Sequence, residues 1–338
     1  MKKPSLKRII FRAITLIPLF SIIAGVLYFI FFTNLPQMWY SQSIRNIYFD
    51  CMEFSSSLYV YKLKPGQCRV KNLEYDFVVS SDANGFRNGI RTSNYYDIAV
   101  IGDSFAHGVG VADDQTFSSI LESTYHYQTI DLAIGSYATM RELEVLGEYG
   151  KDAKYVVVQY CDNDYGENLA SLRLSKEDFR SQVETAWRGL IATYHEGKAQ
   201  GYRKPIQDLG VMLRDHSYMS KSAWRSSAKL GRPMEQEAAA FAQVLARYRP
   251  LLEGKRVIIF EAAMWGENSP KFAATFGSEL SKIDWLKYKL LNTADILGYE
   301  DYFFLDDHIT TRGHRKLADV LAREITQWES TDPIIKNR

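Results

Sequence analysis

The sequence predicts an α/β fold in which a parallel sheet lies between two layers of helices, preceded by one membrane-spanning helix. Three observations predict it. Four short apolar runs, at 98–102, 129–133, 155–160 and 256–261, have the length and the β-branched and aromatic content of buried strands. Helix-like segments separate them, and strand–helix alternation is the pattern of a parallel sheet covered on both faces with right-handed crossovers. Polar motifs stand at the ends of these runs, where such a sheet gathers its loops into one crevice.

Taken in order, residues 1–12 are a basic N-terminus with Lys2, Lys3, Lys7, Arg8 and Arg12, followed by twenty uncharged residues, 13–32. At 1.5 Å per residue that stretch spans about 30 Å, the thickness of a hydrocarbon core. The basic cluster predicts a cytoplasmic N-terminus and places everything after Phe32 across the membrane. A cleaved signal peptide is the competing reading; the length of the run and the lack of a small-x-small site at its end favour an uncleaved anchor. Residues 33–96 are mixed, with turns at KPGQ (64–67) and SDANGFR (81–87), and read as a juxtamembrane and entry segment. Cys51 and Cys68 in this segment are either a disulfide of an oxidising compartment or two free thiols, and spacing does not choose.

The main domain is predicted over 97–330. Between the third and fourth runs, residues 165–253 are too many for one crossover; rich in Lys and Arg and ending in EQEAAAFAQVLARYRPLLEG, they read as a mostly helical insertion. A weaker fifth run, 301–306, is predicted as the last strand, and TTRGHRKLADVLAREI as an amphipathic helix with His314 facing solvent. A net charge of +1 supplies no basic field for nucleic acid. No Cys/His cluster has metal-ligand spacing, so neither a metal nor another cofactor is expected. Abundant Tyr and Phe suit a core and a sugar-binding surface equally.

The chemistry is carried by the strand-end motifs: GDS (102–104), AIGSYAT (133–139), QYCDNDYGEN (159–168) and DDHITTRGH (306–314). If the runs are parallel strands, Ser104, Gly135 and Ser136, Asn163 and His308 converge. Serine is a poor nucleophile without a base in hydrogen-bond reach, and histidine suits that role near neutrality. His308 is the candidate base, and Asp306 the group that holds its tautomer and stabilises the imidazolium, with Asp307 as the alternative. The Ser104 amide, a backbone N–H at Gly135 or Ser136, and the Asn163 side-chain amide are candidate oxyanion donors, each worth about 2.7–4 kcal/mol of barrier. Singly these motifs are ordinary, since GDS suits a turn and Asn163 a helix cap. Their joint position carries the reading.

At these residues the chain resembles the SGNH hydrolases, the GDSL-type serine esterases. IGDSF matches the nucleophile block, CDND the G-x-N-D block with Cys161 at the Gly, and DDHITTRGHRKLA the D-x-x-H block. Leu305 stands where that last block has its Asp, so Asp306 acts through D-x-H spacing. DLAIGSYAT resembles the Gly block, with Asp131 for Asn and Ser136 at the usual Gly. The resemblance covers about residues 84–324, interrupted by the insertion, and NGFR followed by GDSFAHGVGV is similar to membrane-anchored bacterial members. It implies a three-layer, flavodoxin-like SGNH domain with Ser104, His308 and Asp306 in a cofactor-free acyl-enzyme mechanism.

With the topology, the resemblance implies a single-pass protein of the inner membrane with a periplasmic or extracellular domain. Its substrate is expected to be an O-acylated carbohydrate of the envelope, acetylated foremost, or another small ester. A membrane acyltransferase or polysaccharide biosynthesis complex is the expected partner, and nucleic acid is not. Esterase and O-acyltransferase share every catalytic residue, so the sequence leaves them open. A lipid-directed esterase (lysophospholipase or thioesterase) and a non-catalytic SGNH-fold component of an envelope complex are the alternatives.

Overall fold

The computed structural model describes residues 6–89, 95–221, 223 and 232–331. Two small antiparallel hairpins come first, β1 (Met52–Phe54) with β2 (Tyr61–Leu63) and β3 (Gly66–Lys71) with β4 (Asp76–Ser81). The main sheet follows, with β5 (Ile98–Ile101), β6 (Thr129–Asp131), β7 (Tyr155–Tyr160), β8 (Arg256–Glu261) and β9 (Lys287–Leu291) in the order β6-β5-β7-β8-β9. Every pairing in it is parallel. All residues of β5 and β7 are buried, the condition of central strands covered on both faces.

Among the described residues the α-helices are α1 (Leu6–Phe32), α2 (Leu35–Trp39), α3 (Ser104–His107), α4 (Phe117–Tyr125), α5 (Thr139–Tyr149), α6 (Asp164–Arg173), α7 (Lys176–Ala199), α8 (Arg203–Arg214), α9 (Met234–Arg247), α10 (Arg249–Leu252), α11 (Phe272–Leu280) and α12 (Thr311–Thr331). Alternate strand residues feed two cores. Ala99, Ile101, Val156, Val158, Val257 and Ile259 pack with Leu143 and Leu146 of α5, Phe241 and Leu245 of α9, and Phe272 and Phe276 of α11. On the other face Ile98, Val100, Val157, Ile258 and Phe260 pack with Phe117 and Leu121 of α4 and with Leu317, Leu321 and Ile325 of α12. Each such fully buried side chain contributes about 1.5–3 kcal/mol over an exposed one.

Two sequence expectations are corrected. The fifth strand is β9, not 301–306. β9 is an edge strand with sequence KYKLL and only its last residue buried, so its lysines hide it from a search for apolar runs. Residues 299–301 form a tight helical turn instead, Tyr302 bridges Ile309, and Phe303 N donates to His308 O, so the chain doubles back. His314 does not face solvent. It lies on the buried stripe of α12 with Leu317, Ala318 and Leu321. Its Nδ1 accepts from the Phe117 amide at 3.2 Å, and its ring stacks on Phe117.

The chain divides into two compact units. One comprises 1–44 and 199–231 and holds α1, α2 and α8; its segment Ile14–Phe32 has mean hydropathy 2.4, long and apolar enough to cross a membrane or serve as a signal sequence. The other comprises 45–198 and 232–338 and holds both hairpins and the main sheet. Within it Cys51 and Cys68 form a disulfide, Cα atoms 5.9 Å apart. The NGFRN stretch is a clamp. Arg87 donates to the carbonyls of His107, Gly108 and Val111 at 2.6–2.7 Å, while Asn88 exchanges two hydrogen bonds of 2.9 Å with the backbone of Asp131 on β6.

Candidate active site

The chain leaves β5 at Ile101 and enters α3 directly at Ser104. Two side chains shape that turn. Asp103 caps α3, its carboxylate accepting from Phe105 N at 2.9 Å, and Gln159 of β7 accepts from the amides of Asp103 and Ala106 at 3.0 and 3.2 Å. Gly102 is needed because a Cβ there would stand 2.7 Å from both Gln159 Oε1 and Ala106 Cβ.

Ser104 Oγ lies 2.7 Å from His308 Nε2, and His308 Nδ1 lies 2.5 Å from Asp306 Oδ1. These contacts link residues 204 positions apart in sequence. Asp306 is fully buried, and its other oxygen accepts from the Tyr75 hydroxyl at 2.7 Å. Asp307, the alternative acid, also faces the imidazole. Its Oδ1 stands 2.9 Å from the same His308 Nδ1 and accepts from Arg45 Nη1 at 2.7 Å. Burial pushes the His308 pKa down, but the Asp307 and Asp306 carboxylates overcome it and lift it to about 10. Burial likewise opposes ionisation of Asp307, yet His308 and Arg45 hold its carboxyl below the usual range. The pair of acids therefore favours the imidazolium, the state that general-base catalysis creates.

The other predicted residues, Gly135, Ser136 and Asn163, line the same cavity as Ser104 and His308, about 180 Å³ in volume. A Cβ on Gly135 would come within 3.7 Å of Ser104 Cβ, so the two residues face each other. Tyr61 donates to Gly135 O at 2.9 Å, and buried Arg141 donates to Ser136 O while pairing with Glu167 at 2.6 Å. Ser136 stands where the resemblance expects Gly, and it takes the left-handed conformation, φ 61°, that glycine would adopt without strain. Asn163 Nδ2 is 3.4 Å from Asp103 Oδ2, which leaves its amide at the cavity wall. Burial raises Asp103 to about 6, against hydrogen bonds from Phe105 and Asn163 and the charge of His308. Cys161, at the Gly position of its block, is fully buried and its thiol is pushed up by burial, which makes it a packing residue rather than a nucleophile.

Several site residues were not visible in the sequence. Arg45, Tyr48, Met52 and Tyr75 come from the entry segment, Trp187 from α7 and Met264 from the loop after β8; all line the cavity. The Tyr48 hydroxyl is buried with no acceptor for its proton, and it lies against Gly135, where a Cβ would meet it at 2.6 Å. Glu74 accepts from three successive amides, Phe304, Leu305 and Asp306, at 2.7–2.8 Å, and so fixes the loop that carries the acid. No motif announces these residues, because each acts through a fold-back of the hairpins. Asp306, Asp307 and His308 are also the one group among the described residues with donor atoms close enough for a metal, but Arg45 and Tyr75 already engage the two carboxylates.

A serine, an imidazole and a carboxylate in line on the carboxyl edge of a parallel α/β sheet are the equipment of a serine esterase or acyltransferase. No family model and no curated protein matches the chain. Solved structures do. A protein described as lipolytic and of the G-D-S-L family, from Desulfitobacterium hafniense, is 11% identical over 68% of this chain and 99% of its own, with a TM-score of 0.38. A carbohydrate esterase of family 2 from Corynascus thermopiles is 11% identical over 70% and 67%, with a TM-score of 0.39. A lipase from a goat rumen metagenome is 14% identical over 68% and 97%, with a TM-score of 0.38. At these TM-scores the likenesses carry no argument about function, which rests on the geometry of the site.

Proposed function

We propose that this protein is a membrane-anchored serine esterase or O-acyltransferase acting on O-acyl groups, acetyl foremost, of a cell-envelope carbohydrate. The single observation that carries the reading is the continuous relay from Ser104 Oγ through His308 to Asp306, opening on a cavity that Gly135 and Asn163 also line. Ser104 Oγ attacks the ester carbonyl while His308 Nε2 takes its proton, and Asp306 steadies the imidazolium at Nδ1. The Ser104 amide, the backbone at Gly135 or Ser136 and the Asn163 amide are the donors available to the tetrahedral oxyanion. His308 then returns the proton to the departing sugar oxygen, leaving an acyl-enzyme at Ser104. Water or a second sugar hydroxyl, deprotonated by His308, releases the acyl group.

The cavity, about 180 Å³, has room for a short acyl group. The N-terminal apolar helix with its basic flank supports an inner-membrane protein with the site outside, and the Cys51–Cys68 disulfide fits an oxidising compartment. A membrane acyltransferase or polysaccharide biosynthesis complex is the partner that such a place suggests. A non-catalytic platform has no physical need of the complete relay.

The test is labelling of the full chain in detergent with a fluorophosphonate, followed by release assays on acetylated glycan and on lysophospholipid. Labelling that vanishes in Ser104→Ala, with acetate released, is expected. A folded wild type that never labels overturns the enzyme reading. Fatty acid release without acetate release overturns the carbohydrate reading and leaves the lipid-directed esterase.

A further inference from the structure

The unit formed by residues 1–44 and 199–231 contains a second apolar surface besides α1 itself. Its later residues return to the C-terminal root of α1. Asn34 N donates to Met219 O at 3.1 Å, Met219 N to Asn34 Oδ1 at 2.9 Å and Lys221 Nζ to Ile30 O at 3.1 Å. Thr33 and Ser220 form an isolated antiparallel bridge, and the rings of Phe29 and Tyr218 meet edge to face. α8 is tied to the same root, with Trp39 Nε1 donating to Pro205 O at 2.7 Å and Ser43 Oγ to Asp208 Oδ2 at 2.6 Å. α8 therefore lies beside the end of the apolar helix.

The face that α8 turns inward holds Pro205, Asp208, Leu209 and buried Met212. Beside that inward face an apolar stripe is bare: Tyr202 is 75% exposed, Ile206 63% and Leu213 37%, while Val211, 43% exposed, lies away from it. At 3.6 residues per turn the first three fall within one narrow stripe, and Arg203, Gln207 and Arg214 border it. An exposed apolar stripe with a basic margin on its solvent side is the build of a helix that lies in a membrane interface. The neighbouring Tyr28, Trp39 and Tyr218 are residue types that favour the headgroup level.

We infer that α8 is an in-plane membrane helix whose Tyr202–Ile206–Leu213 stripe enters the leaflet at the C-terminal end of α1, with Arg203 and Arg214 on anionic lipid phosphates. The bilayer is the occupant because the stripe adjoins the segment that crosses it, and the basic margin matches an anionic surface. The inference rests on the reading of α1 as a membrane span. It adds a second, reversible attachment that uses residues of the chain remote in sequence from the anchor.

The experiment is a cysteine and nitroxide scan of residues 202–214 in the full chain, reconstituted in nanodiscs of phosphatidylglycerol and phosphatidylcholine. The native cysteines do not interfere, since Cys51 and Cys68 are bonded and Cys161 is buried. Relaxation by oxygen against relaxation by a water-soluble nickel chelate reports depth. Labels at 202, 206 and 213 are expected to sit about 5–10 Å below the phosphates and those at 203, 207 and 214 in water. The double variant Arg203→Gln, Arg214→Gln should bring the stripe labels measurably closer to water. Uniform exposure to nickel overturns the inference. So does protection that persists in detergent and grows with protein concentration, which assigns the stripe to a second copy. A label at Ile23→Cys checks the anchor separately: water exposure there sinks the reading of α1, whatever α8 does.

Discussion

Two adjacent carboxylates face His308 Nδ1, and their loss is expected to act in opposite ways. Asp306 accepts the hydrogen bond that fixes the tautomer, so Asp306→Asn should lower kcat about 10⁴-fold with KM little changed. Asp307 acts through charge. Its oxygen is 2.9 Å from Nδ1, and with charge centres near 4 Å and an effective dielectric of about 20 the attraction is about 4 kcal/mol, or about 3 pKa units. Arg45, 2.7 Å from that same oxygen, keeps its charge in Asp307→Asn with one carboxylate fewer to offset it and so repels the imidazolium, which adds to the fall. The acid limb of kcat/KM reports deprotonation of His308 in the free enzyme, so in the wild type it should extend toward about 10. In Asp307→Asn it should drop by about 3 units or more, and near neutral pH the variant should equal or exceed the wild type. Hydrolysis of p-nitrophenyl acetate, followed from neutral to alkaline pH, measures both effects. A limb that stays in place in Asp307→Asn shows that His308 does not feel this charge. A large pH-independent loss in Asp307→Asn beside an active Asp306→Asn transfers the orienting role to Asp307.

Asn163→Ala should lower kcat about 10²–10³-fold without loss of fluorophosphonate-competent fold, as removal of an oxyanion donor does elsewhere; an unchanged kcat removes Asn163 from the donor set. Glu74→Ala leaves the amides of Phe304, Leu305 and Asp306 without their acceptor, so kcat should fall while KM holds, and Glu74→Gln, which keeps an acceptor oxygen, should recover part of it. Burial depresses His314 to about 3, so its neutral form stabilises the fold fully above its unfolded value of about 6.5, and this is lost as pH falls toward 3. The stability gap between wild type and His314→Gln should therefore shrink by about 2 kcal/mol from neutral pH to pH 5, measured by urea unfolding.

Much of the sheet and the relay could be read before folding, for a physical reason. Strands β5, β6, β7 and β8 are short apolar runs because they are covered on both faces, and the carboxyl edge of such a sheet is where Ser104, Gly135 and Asn163 must meet. The final part failed by the same logic. β9 shows lysines because all but its last residue are partly or fully exposed, whereas β6 at the other edge is buried throughout, and Tyr302 and Phe303 looked like a strand although they belong to a doubled-back loop. The phase of His314 with Leu317, Ala318 and Leu321 was in the sequence and pointed inward; reading the residue as solvated ignored it. Which aspartate serves His308 was not legible at all, because it depends on Arg45, Glu74 and Tyr75, residues that reach the site through pairings more than 200 positions long.

These fold-backs make residues 45–89 part of the site rather than a spacer before it. The hairpin of β3 and β4 carries Glu74 and Tyr75 at its turn, and Cys68 on β3 is bonded to Cys51, which lies just before β1. Closing the loop between Cys51 and Cys68, 17 residues apart, stabilises that arrangement by about 3 kcal/mol through the unfolded chain. Loss of the bond should therefore act on the acid arm before it acts on the sheet, although Cys51 and Cys68 pack at the first of the two cores. In the double variant Cys51→Ser, Cys68→Ser the main unfolding transition of the sheet is expected to survive while kcat falls, and hydrogen exchange should rise first at the amides of Phe304, Leu305 and Asp306. Equal exchange in those three amides with kcat unchanged would separate the disulfide from the site and reduce it to a local staple. If the coupling holds, the acid arm is better formed, and the chemistry of Ser104 faster, where thiols are oxidised.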